Sequence, residues 1–468
     1  METMIAMTRA GSSGAGWRGR RVVVVGMARS GRAVSRLLAR HGARVRATDL
    51  RDARSLGLDP DAFRREGIEL ALDQDGRDAL GGAEIAVVSP GIPKTAPVLA
   101  EAKRRGLVLL SELEAASRFA RAPVAAVTGT NGKSTTVTVL GQLLDALRVP
   151  NAVAGNVGLP LSEVVEAIPP EGALVVEVSS YQLEDIDTFH PRSAAILNVS
   201  PDHLDRYRDF EDYVAVKRGI FRNFGPSDTA VLPPGDPLLP PPGAGRVLHF
   251  SGEGRVETGA GLFGDSLGWR EGGAEVPLVP AAELSLPGPH NRANVAAALC
   301  LLTGFGADVR DPRIGRALRA LRGLPHRLEP VGRVGEVAFV NDSKATNPES
   351  LEVALRSFGP PVVLVAGGRP KDGDYARLGP ELVRCAAAVV LIGEAAPKLR
   401  EAWGGTGLAL VDAGSDFDRA LEKALALAGP GPSTVLLSPG CASFDMFRDY
   451  EDRGDRFRAW VVSRKGGR

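Results

Sequence analysis

Eight consecutive residues, Thr128-Gly129-Thr130-Asn131-Gly132-Lys133-Ser134-Thr135, carry the most specific chemistry in this sequence. They follow the β-branched run PVAAV and open the helical pattern STTVTVLGQLLDAL. A glycine loop feeding a helix N-terminus presents successive N–H groups to phosphate, while a lysine reaches the β- and γ-phosphates and a hydroxyl ligates Mg²⁺. The segment is therefore predicted to bind ATP through Gly129 to Thr135, with Lys133 as the phosphate cation and Ser134 as a metal ligand. A strict Walker sequence would have glycine at position 127, which is Val127 here.

Further carboxylates, a histidine and a lysine follow in order. The run ALVVEVSS places Glu177 near the tip of a buried strand, where a carboxylate is costly unless a cation faces it. A Mg²⁺ shared with Ser134 would be that cation. The segment AAILNVSPDHLDRY puts Asp202, His203 and Asp205 in the loop after the next strand, and the helix DFEDYVAVKRGIF carries Lys217. A lone loop histidine is more often a surface residue, and Lys217 alone reads as a solvated helix lysine. The ordered set of phosphate loop, strand Glu, D-H-L-D and helix Lys raises both above those readings. Lysine is also scarce, nine residues against 48 arginines; a GC-rich coding bias is the bland cause, and the corollary is that a surviving lysine can be one that arginine cannot replace.

Upstream, VVVVGMARSGRAVSRLLARHGARVRATDLR reads as strand, turn, helix and a second strand ending in Asp49. It resembles a Rossmann βαβ start, but the middle glycine of the fingerprint is Ala28, which makes NAD doubtful; the helix N-terminus behind it, at Arg29 and Ser30, suits a diphosphate such as that of a UDP-sugar. Ser89-Pro90-Gly91 ends another strand, and Asn156 in AGNVG with Ser179 and Gln182 in SSYQLE lie at later strand tips.

Downstream, His290-Asn291-Arg292-Ala293-Asn294 precedes an apolar helix, where helix capping is the bland reading of both asparagines. Gly323-Leu324-Pro325-His326-Arg327, Asn341-Asp342-Ser343-Lys344-Ala345-Thr346-Asn347, Gly368-Arg369-Pro370-Lys371 and Cys441-Ala442-Ser443-Phe444-Asp445 mark further strand tips. Asn347-Pro348 suits a helix start, which leaves Asp342 and Lys344 unexplained. A dicarboxylate bound here would need cations or N–H donors at both ends; Lys371 and a helix N-terminus near Ser443 are expected to supply them. Cys441 reads as a buried, inert thiol.

The elements that must position these residues are α/β. Short apolar runs alternate with helical patterns across three clusters, near 21–110, 123–200 and 337–437, which predicts three domains with mainly parallel sheets. Expected boundaries are a disordered tail over 1–18, a Rossmann-like domain over 19–112, a central ATP-binding domain over 113–323 and a Rossmann-like last domain over 324–468. The Gly- and Pro-rich stretch 225–289 is expected to form irregular hairpins and loops. With 57 basic and 56 acidic residues the chain has no bulk field to hold nucleic acid or an anionic membrane, and no apolar run is long enough to span one. The three cysteines, scattered and odd in number, suit a reducing compartment.

Taken together, the G-T-N-G-K-S loop, Glu177, D-H-L-D and Lys217 resemble the central domain of the Mur ligases, a superfamily that includes folylpolyglutamate synthases. From about Gly19 onward the chain resembles the D-glutamate-adding members, in its first domain, its Asn131 and its N-D-S-K-A-T-N and C-A-S-F-D segments. The resemblance implies a cytoplasmic, monomeric ligase of peptidoglycan-precursor synthesis. ATP would phosphorylate the alanyl carboxylate of UDP-N-acetylmuramoyl-L-alanine, and D-glutamate would attack the acyl phosphate as the last domain closes. It implies two Mg²⁺ ions held by Ser134, Glu177, His203 and Lys217, the last as a carbamate derived from CO₂, and a catalytic set of Lys133, His203, Lys217 and Lys344. Asn294 and Asp342 would meet adenine and ribose, and Arg327 and Lys344 the nucleotide or acyl phosphate. Asn156 would lie near the muramoyl group, with Arg29, Ser30, Arg51 and Ser89 lining the UDP-linked substrate site. Thr346, Lys371, Ser443, Phe444 and Tyr450 would surround D-glutamate. Leu50, where a hydroxyl is common, and Tyr450, often Phe, depart from the pattern.

Overall fold

The computed structural model describes residues 14–156, 158–201, 206–239, 243, 245–286, 288–370 and 373–464. In the first sheet, β1 (Arg21–Val25), β2 (Arg44–Asp49), β3 (Ile68–Leu72), β4 (Ile85–Val88) and β5 (Val108–Ser111) run in the order β3-β2-β1-β4-β5, all parallel. Val22 to Val25 are buried throughout, as a run without alternation requires of a strand covered on both faces. The helix Arg29–Arg40 buries Val34, Leu37 and Leu38. Strand order reverses between β1 and β4, so a crevice lies at their carboxyl ends.

The second sheet is larger than the sequence suggests. β6 (Val124–Thr128), β7 (Asn151–Gly155), β8 (Ala173–Glu177), β9 (Ser193–Ile196), β10 (Thr229–Leu232), β11 (Arg246–Phe250), β12 (Gly259–Phe263), β13 (Ser266–Glu271) and β14 (Ala274–Pro280) form one sheet, ordered β14-β13-β12-β11-β10-β9-β6-β8-β7. The stretch expected to form irregular hairpins and loops does hold two hairpins, β12–β13 and β13–β14, but they are regular strands that extend this sheet beyond two further parallel strands. Glycine allows it: Gly259 has φ +126°, and a Cβ there would lie 2.0 Å from the His249 carbonyl oxygen.

The third sheet comprises β15 (Glu329–Val334), β16 (Val337–Asn341), β17 (Val362–Gly367), β18 (Ala386–Ile392), β19 (Ala409–Gly414) and β20 (Ser433–Leu437), ordered β15-β16-β20-β17-β18-β19 with only β15 antiparallel. The fold class expected from sequence, three mainly parallel α/β sheets, is the one observed.

The chain divides into two compact units, residues up to Leu284 with Arg292–Leu321, and Ser285–Asn291 with Arg322 onward. The first two sheets share a unit, and buried carboxylates join them. Glu114 accepts hydrogen bonds from the amides of Asp187, Thr188 and Phe189, and Glu112 from Ser162. The disordered tail expected over 1–18 is too long: Gly14–Trp17 is a 3₁₀ turn, with Trp17 buried against Phe119, whose ring lies 6.0 Å away. An indole of that area is not left in water when an apolar site is in reach.

Candidate active site

The phosphate loop forms at the end of β6 because glycine stands at its two left-handed corners. Gly129 has φ +146° and Gly132 φ +88°. At Gly132 a Cβ would come within 2.3 Å of Asn294 Oδ1, so the close approach of helix Pro289–Thr303 also requires glycine. The helix Lys133–Leu147 starts directly after it. A residue the motif did not reveal shapes the loop: Asn198, just beyond β9, accepts from the Asn131 amide at 2.9 Å and donates to the Asn131 carbonyl at 3.1 Å. Thr130 Oγ1 bridges Ser200 and the Tyr213 hydroxyl.

Two amines converge on one carbonyl of this loop. Lys133 Nζ donates to Gly129 O at 2.8 Å and to Thr130 O at 3.0 Å, and Lys217 Nζ donates to the same Gly129 O at 3.1 Å. Lys217 is not a solvated helix lysine: it is 2% exposed, and its amine lies 4.5 Å from the Tyr213 ring centre. Tyr213 was invisible as a site residue, although its place four residues before Lys217 puts both on one helix face.

Glu177 ends β8, paired in register with Val127 on one side and Gly155 on the other. Its Oε1 accepts from Asn156 Nδ2 at 3.1 Å, whereas its buried Oε2 has no hydrogen-bond partner. A buried carboxylate oxygen left without a donor, next to the strand that feeds a phosphate loop, fits a Mg²⁺ ligand. The cradle at Gly129 and Gly132 fits phosphate. Ser134 and Thr135 are buried in the first helical turn. No cluster of three or more His, Cys, Asp or Glu occurs among the described residues, and His203 lies outside them.

Asn291 and Asn294 lie inside the helix Pro289–Thr303, so neither is its cap. Asn294 Oδ1 instead lies 3.4 Å from Thr136 Oγ1, beside the loop. In the first sheet, Ser89 Oγ donates to Gly26 O at 2.8 Å and so ties the tips of β4 and β1 together. Arg51 is held by Asp49, which also accepts from the Met27 amide at 2.7 Å. Burial raises the Asp49 pKa, but these donors outweigh it and hold the carboxyl below its ordinary range. Arg29 is exposed and Ser30 half-buried at the start of their helix.

The second unit gathers the remaining predicted residues at the carboxyl ends of its sheet. Asp342 is buried, accepting from Ser438 Oγ at 2.7 Å and from the Leu328 amide at 3.1 Å. Burial pushes its pKa up to about 7, against the pull of the Ser438 bond and the Arg327 charge. Arg327 stands between His326 and Leu328, both left-handed at φ +61° and +42°, a strained pair that needs such anchoring. Lys344 Nζ lies 5.9 Å from the Tyr450 ring centre, and Thr346 is half-buried. Asn347 caps the helix Pro348–Arg356 as expected.

The expected helix N-terminus near Ser443 is absent. Ser443 is buried and opens a turn, its carbonyl accepting from Met446 and Phe447, and the helix Tyr450–Arg464 begins only at Tyr450. Phe444 is 63% exposed, and Lys371 lies outside the described residues.

Sequence reasoning missed the residue that binds these tips together. Arg453 is fully buried, donating to Ser343 Oγ at 2.9 Å, to Ser343 O at 2.8 Å and to Cys441 O at 3.3 Å. Burial lowers its pKa to about 10, against the raising effect of Cys441, Asp445 and Asp342. Gly454 beside it admits the His326 ring, which a Cβ would meet at 2.1 Å. The signal was there: an Arg-Gly pair inside a helical pattern marks a close approach. Cys441 is buried, and its pKa is raised, as an inert thiol requires.

A phosphate loop on the central of three α/β sheets, with a buried Glu and Lys beside it, defines an ATP-dependent ligase of the Mur type. Family models match in the same order: the MurD-like N-terminal domain over residues 20–111, the Mur ligase middle domain over 127–302 and the glutamate ligase domain over 326–441. The chain is 41% identical over 447 residues to the UDP-N-acetylmuramoylalanine–D-glutamate ligase of Geobacter metallireducens, covering 95% of this chain and 97% of that one. It is 41% identical over 455 residues to that of Salinibacter ruber, covering 94% and 97%. The chain belongs to the UDP-N-acetylmuramoylalanine–D-glutamate ligase family of Mur ligases. Among solved structures it superposes on the MurF ligase of Thermotoga maritima in complex with ADP with a TM-score of 0.58 at 20% identity, covering 90% of this chain and 95% of that one.

Proposed function

We propose that the chain joins D-glutamate to UDP-N-acetylmuramoyl-L-alanine, consuming ATP, in peptidoglycan-precursor synthesis. ATP and Mg²⁺ are the cofactors of the family. The observation that carries the reading is the meeting of Lys133 and Lys217 on Gly129 O, close to the strand that ends in an unpartnered Glu177 oxygen. Near-40% identity over almost the whole chain to ligases named for D-glutamate supports the choice of amino acid.

The chain's own residues then divide the work. Loop amides and Lys133 bind the triphosphate, and Lys133, which donates to two neutral carbonyls, would turn to the stronger anionic acceptor. Glu177 and Ser134 would hold Mg²⁺, with His203 and carbamylated Lys217 completing two sites. The metal, when bound, neutralises charge on the transferring phosphoryl group. Carbamylation requires a primary amine, which lysine offers and arginine does not. Arg327 and Lys344 would meet the nucleotide or acyl phosphate, while Thr346, Lys371, Ser443, Phe444 and Tyr450 would receive D-glutamate. No protein nucleophile is needed. The enzyme would act as a cytoplasmic monomer; no helix among the described residues is long and apolar enough to cross a membrane.

The test is phosphate release with UDP-N-acetylmuramoyl-L-alanine, ATP, Mg²⁺ and, in turn, D-Glu, L-Glu, L-Ala and meso-diaminopimelate. Turnover with D-Glu alone is expected. Turnover with another amino acid only, or none, would overturn the reading; a bare nucleotide-binding protein would also tolerate Lys217→Ala.

A further inference from the structure

A charged cluster joins the first two sheets and has no part in the chemistry above. Glu184, just after the short helix Ser180–Leu183, is buried, with its side chain 1% exposed. Arg206 grips it with a planar fork, Nε to Oε1 at 3.0 Å and Nη2 to Oε2 at 2.8 Å. The same guanidinium donates from Nη1 to the carbonyl of Ile92 at 3.3 Å and lies 4.1 Å from the Tyr181 ring centre. Lys94 Nζ adds a second cation 3.5 Å from Glu184 Oε2.

Placement gives the cluster its meaning. Ile92 and Lys94 belong to the loop that leaves β4 at Ser89, and Ser89 closes the crevice between β1 and β4 by its bond to Gly26. The Ile92 amide folds back onto the Ser89 carbonyl at 3.1 Å. This loop therefore borders the crevice in which an open parallel sheet takes its ligand. Arg206 and Glu184 belong to the second sheet's connections. A single guanidinium thus spans from one sheet's ligand loop to the other's framework. Arginine suits this and lysine does not, because three donors must be aimed in one plane while the flat face stacks on an aromatic ring. A carboxylate buried this deeply is retained at a desolvation cost, which fits a residue that fixes geometry rather than one that adds stability.

We infer that Arg206 is a positioning residue: gripped by Glu184, it holds the Ser89–Lys94 loop in the conformation that receives the UDP-linked substrate. The inference rests on the function proposed above and names the residue that pre-orders one of its substrate sites. Without the fork, the loop is ordered only when substrate arrives, and that ordering is subtracted from the binding free energy. Affinity for the UDP-linked substrate falls, while the nucleotide and amino-acid sites, built on other tips, keep theirs.

The experiment uses the full chain and four variants: Arg206→Gln, Arg206→Lys, Glu184→Gln and the Arg206→Gln/Glu184→Gln double. Calorimetric Kd for UDP-N-acetylmuramoyl-L-alanine, KM for each of the three substrates, and hydrogen exchange across residues 89–96 are measured. Arg206→Gln is expected to weaken the UDP-linked substrate about tenfold in both Kd and KM, the loss of one charge-assisted contact. KM for ATP and D-glutamate stays within about twofold, and exchange in the loop accelerates. Arg206→Lys is expected to recover little, and the double variant to be no worse than the worse single one. Unchanged substrate affinity in a folded Arg206→Gln protein, slow exchange in its loop, equal rises in all three KM values or full additivity of the two singles would overturn the inference. Should Arg206→Gln not fold, Arg206→Lys and Glu184→Gln carry the same test. A wild-type protein inactive with D-glutamate would overturn the proposed function instead, and the exchange and calorimetric readouts keep the two failures apart.

Discussion

The phosphate loop of the first unit and the strand tips of the third sheet are both built at the carboxyl ends of parallel strands, yet opposite means hold them. Backbone geometry and neutral groups shape the phosphate loop: two glycines in left-handed conformations, the Asn198 amide and the Thr130 hydroxyl. Its amines rest on carbonyl oxygens. Buried ionisable groups hold the tips of the third sheet instead, Asp342 under Leu328 and Arg453 under Ser343 and Cys441. A triphosphate brings a large charge of its own, so its loop needs neutral supports and cations ready to move. The small dicarboxylate proposed for the second unit would bring less, and a pocket for it would have to be rigid beforehand.

The strongest way to break the comparison is to remove a cation from the neutral side. Lys133→Ala should reduce phosphate release by about a thousandfold or more, in line with losing a preorganised charge from a phosphoryl-transfer site. Thermal unfolding should change far less, because the loop carbonyls that the amine leaves are neutral acceptors. A fall of many degrees in the melting temperature would mean that the loop is held by its charge after all.

On the other side, Asp342 should make stability depend on pH. Its folded pKa, near 7, exceeds the ordinary 3.8, so the folded state holds a proton that the unfolded state releases. The stability it contributes is complete below about pH 3.8 and is lost as pH rises through 7, a change on the order of 4 kcal/mol. Asp342→Asn keeps an acceptor for the Leu328 amide and cannot ionise. Denaturant midpoints between pH 4 and 8 should therefore fall less steeply in the variant, which becomes the more stable protein at pH 8. Parallel profiles for both proteins would remove Asp342 from the account.

Arg453→Met should come next, costing about 3 kcal/mol, since the carbonyls of Ser343 and Cys441 lose buried donors. Fluorescence of Trp403 and Trp460 should report the loss, and KM for D-glutamate should rise. An unchanged KM for D-glutamate in a destabilised variant would confine Arg453 to the fold.

The same contrast explains what could be read from sequence. The phosphate loop is a local object: eight adjacent residues state its turns, its cation and its helix start, so Gly129 to Thr135 were legible in full. Glu177 and Lys217 were legible because a buried carboxylate and a spared lysine are rare enough to need a reason. Parallel sheets announced themselves through unbroken apolar runs such as Val22 to Val25, but β11 to β14 did not, because Gly and Pro dominate their composition and neighbouring strands rather than propensity decide their conformation. Asn198, Arg453 and Arg206 were missed for one shared reason. Each acts between segments 67 to 114 residues apart, with partners such as Asn131, Ser343 and Ile92 that no spacing rule connects. Ser443 misled because a small polar residue before a turn and one before a helix look alike until Tyr450 is seen to start the helix.

The mildest variant sharpens the comparison most. Asn198 is exposed, and its amide spans the Asn131 peptide with one bond given and one received. Because water can replace both, Asn198→Ala should cost the fold less than about 1 kcal/mol, and KM for ATP should rise about threefold to tenfold as the loop loses its preset shape. Asn198→Asp keeps the acceptor for the Asn131 amide but sets a carboxylate beside a loop that must receive polyphosphate. If the neutrality of the supports matters as much as their geometry, Asp should impair nucleotide binding more than Ala does, and raising the salt concentration should narrow the gap. An Asp variant that binds ATP as well as wild type would reduce the loop's neutral scaffolding to an accident of composition.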